Sequence, residues 1–128
     1  MKLLLDTQII IWFVNDDPQL NDHLKDLIED KNNTIYLSIA SLWEMSIKYN
    51  LGKLKFERSY QEFVELEIIQ SCINLLDIKV NHLYVHSHLP LHHKDPFDRL
   101  IIAQSIAENI PLISVDSIFS QYPVTIIN

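Results

Sequence analysis

Glycine is nearly missing from this 128-residue chain: Gly52 is the only one. Long flexible loops are therefore not expected, because few positions can adopt the conformations they need. Cysteine is equally scarce. Cys72 stands alone, which excludes an internal disulfide and fits a reducing cytoplasm. No apolar run approaches the ~18 residues of a membrane span; "LLLDTQIIIWFV" is interrupted by Asp6, Thr7 and Gln8. "MKLLLD" enters an apolar segment at once, without a small-residue cleavage site, so a signal peptide is not expected either. Internal repeats, low-complexity tracts and Pro/Gly linkers are all absent. Positive charge is short as well, with 10 Lys and Arg against 17 Asp and Glu, a net of −7. That balance argues against nonspecific duplex binding through the whole surface. It does not exclude nucleic acid as a substrate, because acids that converge on divalent cations present less negative charge than they count for.

What is present describes one globular domain over residues 1–128, with a 48% hydrophobic share. A chain of this length buries roughly two-thirds of its unfolded surface and needs no staples. "LLL" before Asp6 is a short apolar run of the kind that forms a strand buried on both faces. The periodicity then predicts helices over 8–14 and 19–30, and "TIYLS" reads as a second, β-branched and aromatic strand. "SIASLWEMSIKYN" reads as a helix capped by Ser38 or Ser41 and closed through Gly52. Further helices are expected over 59–71 and 80–88, around a strand at "INLLDI". A last helix opens at Pro96 and runs to about Asn109, before strand candidates "PLISVD" and "VTII". Strands separated by helices require crossovers, hence a mostly parallel α/β sheet covered on both faces. Sites in such sheets form beyond the carboxyl ends of the strands. Asp6 and Asp116 sit at two such ends.

Each acid also has a structural explanation. Asp6 and Asp116 can cap the helical turns that follow them, and Glu44 can pair with Lys48 four residues on. Yet Glu44 is flanked by Trp43 and Met45 on a helix that also carries Ile39, Leu42 and Ile47, which leaves little room for a purely solvated face. In "LHHKDPFDRLIIAQS", Asp95 before Pro96 is an N-cap followed by a first-turn proline. Asp98, three positions on, precedes "RLIIA" and so turns partly inward. This assigns Asp95 to structure and Asp98 to chemistry. Asp6, Glu44, Asp98 and Asp116 would repel one another if brought together, and a protein holds such a set around something positive. Magnesium or manganese suits hard oxygen ligands better than zinc does.

These residues carry a family resemblance. "LLLDTQIIIWFV", "SLWEMSIKYNLGKL", "LPLHHKDPFDRLIIAQS" and "PLISVD" occur in the order found in PIN domains. More narrowly, they resemble the VapC-type toxins of bacterial type II toxin–antitoxin pairs. The resemblance spans residue 3 to about residue 126, and "DPFDR" followed by "IAQ" is its most specific piece. It implies a three-layer α/β/α fold and a cytoplasmic ribonuclease dependent on Mg2+ or Mn2+. Matched by motif, the catalytic and metal-binding residues are Asp6, Glu44, Asp98 and Asp116, with Asp6 and Asp98 in direct contact with metal. Thr7 and Ser114 match positions where the family often places a hydroxyl near the pocket, serine replacing the commoner threonine. The resemblance further implies an RNA substrate, an antitoxin laid across the site, a homodimer, and DNA contact only through the antitoxin.

Substrate phosphates need cations beyond the metal. Lys48, Lys53, Lys55 and Arg58 form the densest basic run, while Lys94 and Arg99 flank Asp98. Thr7, Ser114, Lys53, Lys55 and Arg99 are the candidates for RNA contact, against the alternatives of solubility for the lysines and, for Arg99, pairing with a pocket acid. His82, His86, His88, His92 and His93 do not make a zinc site: "HLYVH" lacks the glutamate of a zinc-protease helix, and there is no thiolate set. His92 and His93 are placed to rim the pocket. A haloacid-dehalogenase-type phosphatase is excluded because "DTQ" lacks a second aspartate two residues on. A receiver domain is excluded because "PVTIIN" supplies no lysine after the last strand. A catalytically silent interaction module of the same fold is the remaining alternative.

Overall fold

The computed structural model describes residues 1–128. Five parallel strands, β1 (Lys2–Leu5), β2 (Thr34–Ser38), β3 (Asn74–Leu76), β4 (Leu112–Ile113) and β5 (Ile126–Ile127), form one sheet in the order β3-β2-β1-β4-β5. The helices are α1 (Thr7–Val14), α2 (Asp22–Glu29), α3 (Ile39–Asn50), α4 (Tyr60–Phe63), α5 (Val80–His86) and α6 (Pro96–Glu108). No helix is long and apolar enough to cross a membrane.

The three-layer sandwich follows from strand alternation. Leu3 and Leu5 point into one core, with Ile9 and Ile10 of α1, Leu24 of α2 and Met45 of α3. Leu4 points into the other, with Leu100–Ile102 of α6 and Phe119. All three leucines are fully buried, as the continuous apolar run predicts for a central parallel strand. β2 and β4 repeat the division: Ile35, Leu37 and Ile113 join the first core, Leu112 the second.

The strands after β2 are shorter than the apolar runs that announce them, because only residues with a neighbouring partner pair: Leu112 and Ile113 bridge β1 and β5. The expected 59–71 helix is not uniform either. It starts as α4, capped by the Ser59 hydroxyl on the Glu62 amide (3.2 Å), widens into a π turn over Val64–Ile68 and tightens through Ile69–Ser71. Phe63 and Ile68 both enter the first core from this segment. They are five residues apart, a spacing that a wide i→i+5 turn brings to a common side and an α-helix does not. Gly52 closes α3 with φ +74, its N–H donating to Tyr49 O (3.0 Å).

Candidate active site

The carboxyl ends of β1 and β4 are neighbours, and the starts of α3 and α6 lie over the same edge. A cleft of about 260 Å³ opens there, lined by Asp6, Glu44, Asp98 and Asp116, and also by Lys48 and Asp95. The four acids singled out in sequence therefore share one cavity.

Asp6 takes the N-cap position of α1, its backbone carbonyl accepting the Ile9 and Ile10 amides, but its side chain does not cap. Instead Oδ2 accepts the Ser114 hydroxyl across the sheet (2.9 Å). Ser114 Oγ in turn accepts the Asp116 N–H (3.1 Å), so one hydroxyl ties together the acids that follow β1 and β4. Asp116 divides its oxygens: Oδ1 caps the short helical turn Ser117–Gln121 at Ile118 N (3.0 Å), while Oδ2 turns toward the cleft. Thr7 donates to Ser41 Oγ (2.8 Å), fixing the start of α1 against the first turn of α3. Ser38 caps α3 at Ala40 N (3.0 Å), which aims Glu44 inward one turn later.

Glu44 is only 6% exposed. Oε2 accepts the Lys48 ammonium at 2.8 Å, as the i,i+4 spacing predicts, but Oε1 is buried with no partner at all. An orphaned buried carboxylate oxygen is costly unless a cation or donor meets it. Asp95 caps α6 through Oδ1 at Phe97 N (2.8 Å) and Asp98 N (3.2 Å), leaving the Asp98 side chain free for the cleft.

The electrostatics match this crowding. Burial pushes the Asp98 carboxyl up to about 8, and the neighbouring charges of Asp6, Asp95, Glu44 and Asp116 push in the same direction. Burial raises Asp6 to about 6, opposed by the Ser114 hydroxyl and a backbone bond at Thr7, and reinforced by Glu44 and Asp116. The Lys48 ammonium moves the other way from a buried amine: its bond to Glu44 holds it above the usual lysine range against a desolvation that lowers it. Such shifts concentrate where a protein keeps carboxylates together against their repulsion. The four acids supply hard oxygen donors, the unpaired Glu44 Oε1 among them, and the His93 ring nitrogen lies with Asp98 and Asp116 in one group whose possible ligand atoms are within 4.8 Å of one another, so the residues present fit magnesium or manganese.

The candidate substrate contacts separate. Thr7 and Ser114 are buried with their hydroxyl protons committed to Ser41 and Asp6. Lys53 and Lys55 are exposed on the segment after α3 and do not line the cleft. Arg99, a candidate for RNA or pocket-acid contact, is turned toward the loop before α6. It is 8% exposed, and its guanidinium donates to the carbonyls of Pro90 (2.8 Å) and Leu89 (3.3 Å), away from Asp98. The cation that does reach the acids is Lys48. His93 was placed only at the rim by its sequence; its Nε2 lies 2.9 Å from Asp98 Oδ2 and 3.5 Å from Asp116 Oδ2. His82 belongs elsewhere, fully buried between the Lys79 amide and Glu108.

A family model described as PIN domain matches residues 3–124. The chain belongs to the PIN domain family. Its fold also matches a chain of VapBC2 from Rickettsia felis, solved bound to a DNA fragment from its promoter, with a TM-score of 0.76 at 25% identity, covering 100% of this chain and 98% of that one. A chain of FitAcB from Neisseria gonorrhoeae matches with a TM-score of 0.71 at 17% identity over 98% of this chain and 96% of that one. VapBC-1 from nontypeable Haemophilus influenzae gives 0.69 at 18% identity, over 100% and 98%. Comparison with curated protein sequences gives no match. Within the PIN family its fold is of the VapC type.

Proposed function

We propose that the protein is a metal-dependent endoribonuclease, the toxin half of a type II toxin–antitoxin pair, which hydrolyses RNA phosphodiester bonds at Asp6, Glu44, Asp98 and Asp116. The observation that carries this reading is the shared cleft, in which two carboxyls are raised to about 6 and about 8 and a buried Glu44 oxygen has no partner. A divalent cation, Mg2+ or Mn2+, would be held by these acids and supply a water of lowered pKa together with stabilisation of the departing oxygen. Asp6, locked by Ser114, and Asp98, freed by the Asp95 cap, would hold the cation. Glu44 and Asp116 bind directly or through water. Asp98 would hold the cation as a carboxylate, and Lys48 at the cleft wall would meet a substrate phosphate.

A partner is supported by α3. Trp43, Ile47 and Leu51 follow one another at i, i+4 and i+8, all exposed, and Trp43 packs edge-on against Phe97 (4.8 Å) beside the acids. An apolar stripe starting at the mouth of the cleft suits an antitoxin helix laid across it, or a second copy of the chain. DNA contact, as in the promoter-bound Rickettsia felis complex, would come through the antitoxin.

RNA incubated with the purified protein should be cut only with Mg2+ or Mn2+ present, and Asp98→Asn should stop cleavage. Full activity in that variant ends the assignment. A second reading, the silent interaction module, is favoured by the side chains already beside the acids: Lys48 and His93 lie 2.8 and 2.9 Å from Glu44 and Asp98. A silent module would show no rise in melting temperature with either ion, whereas a metal site is stabilised by mass action.

A further inference from the structure

His93 touches two of the proposed metal-binding acids, and its surroundings define which way it can act. Its Nδ1 accepts the backbone N–H of Asp95 (3.2 Å). A neutral imidazole has one ring nitrogen that accepts and one that donates, so acceptance at Nδ1 leaves the proton on Nε2. A metal-bound histidine shows the opposite arrangement, donating its far N–H to an acceptor, and the Asp95 amide is itself a donor. Nε2 is sealed from solvent, close to Asp98 Oδ2 and Asp116 Oδ2 yet lined up with neither for a hydrogen bond. The N–H therefore faces the space between the two carboxylates.

The loop that carries the ring is fixed from behind. The His93 N–H donates to Tyr122 Oη (2.8 Å), Tyr122 Oη donates to Pro90 O (2.8 Å), and the buried Arg99 guanidinium donates to the same Pro90 carbonyl (2.8 Å). Phe119 lies against the imidazole, with ring centroids 5.7 Å apart. No element of this arrangement serves strand pairing or a helix cap; its product is a fixed N–H between Asp98 and Asp116.

We propose that His93 is a positioning residue whose Nε2–H, held by the Asp95 amide and the Arg99–Tyr122 clamp, keeps the Asp98 and Asp116 carboxylates converged on one divalent cation. The inference rests on the metal-site reading above and adds to it a residue that is not a ligand. Outer partners of this type typically account for roughly 10–100-fold in metal affinity.

The test is Mn2+ binding to the full chain, followed by the loss of the free-ion electron paramagnetic resonance signal, for wild type, His93→Ala, His93→Gln and Asp98→Asn. His93→Ala should weaken Mn2+ binding by roughly 10–100-fold. His93→Gln, which keeps an N–H donor at similar reach, should recover most of that loss. RNA cleavage by His93→Ala should fall at low Mn2+ and return in excess Mn2+, with KM for RNA unchanged. Pulsed resonance on the Mn2+-loaded wild type should show no directly bound 14N. Unchanged Mn2+ affinity in His93→Ala, failure of His93→Gln to recover it, or a 14N ligand lost in His93→Ala would each overturn the proposal. If Asp98→Asn loses Mn2+ while His93→Ala does not, the metal-site reading survives and only this inference falls. If wild type binds no Mn2+, both fall.

Discussion

Two histidine–carboxylate pairs in this molecule look alike and behave oppositely. His82 Nδ1 accepts the Lys79 amide (3.0 Å) and its Nε2 meets Glu108 at 3.1 Å; His93 Nδ1 accepts the Asp95 amide and its Nε2 meets Asp98 at 2.9 Å. In the first pair the acid is satisfied. The His82 bond holds Glu108 below the usual glutamate range against a small desolvation, and Lys79 and the histidine itself add favourable charge. In the second the acid is frustrated, raised to about 8 by burial and by four other carboxylates. The same side-chain chemistry thus fastens α5 to α6 in one place and supports a strained acidic edge in the other. What separates structural from functional use is the company around the pair, not the pair itself.

That contrast can be broken at either end. The largest effect is expected for Asp98→Asn: RNA cleavage should drop more than about 100-fold, since a direct ligand outweighs an outer partner. The metal-free variant should nonetheless melt higher than wild type. Discounting for the open cleft, the gain is about 1–3 kcal/mol at pH 8, or roughly 3–10 °C, read by thermal denaturation in chelator. His82→Ala should do the reverse. It empties a fully buried site and leaves the Lys79 amide without its partner. The cost should be about 2–4 kcal/mol in a denaturant melt, with cleavage per folded molecule unchanged.

The pH dependence sharpens the comparison because the two shifts have opposite sign. Asp98 holds its proton in the fold far above the usual aspartate value, so the stability linked to it is full below about pH 4 and lost as pH rises toward about 8. Metal-free melting temperature should therefore decline between those limits, and Asp98→Asn should flatten the decline. Glu108, shifted down, contributes stability that is present at neutral pH and lost on acidification through its folded value. Glu108→Gln should differ from wild type only above that acidic range, and by the smallest amount of the set, within about 1 kcal/mol because the Glu108 end of the pair still meets solvent.

The legible part of the site was the part written in local spacing. Glu44 and Lys48 share a helix face because they are four apart, and Asp95 caps α6 as a residue before a first-turn proline should. What sequence could not give was partnership across the sheet. Asp6 looks like an N-cap from its neighbours, yet its carboxylate answers to Ser114, 108 residues away. Arg99 illustrates the converse. Adjacency to Asp98 suggested a common role, but consecutive helix positions diverge by about 100°, which carries its side chain to the loop on the other side. His93 lies five residues before Asp98, outside the helix, and only the folded loop returns it.

Asp6 and Asp116 follow strands that are paired rung by rung, Leu5 opposite Ile113, with Ser114 clasping both acids from just beyond that ladder. The strands that lead to these two anchors are thus held at the hydrogen-bonded repeat of a parallel sheet, about 4.8 Å from strand to strand. Loop substitutions have little leverage over such a span. Any retuning of this cleft, toward another ion or a bulkier substrate, would have to travel through the helices that deliver Glu44 and Asp98, the two walls free to shift against a fixed floor.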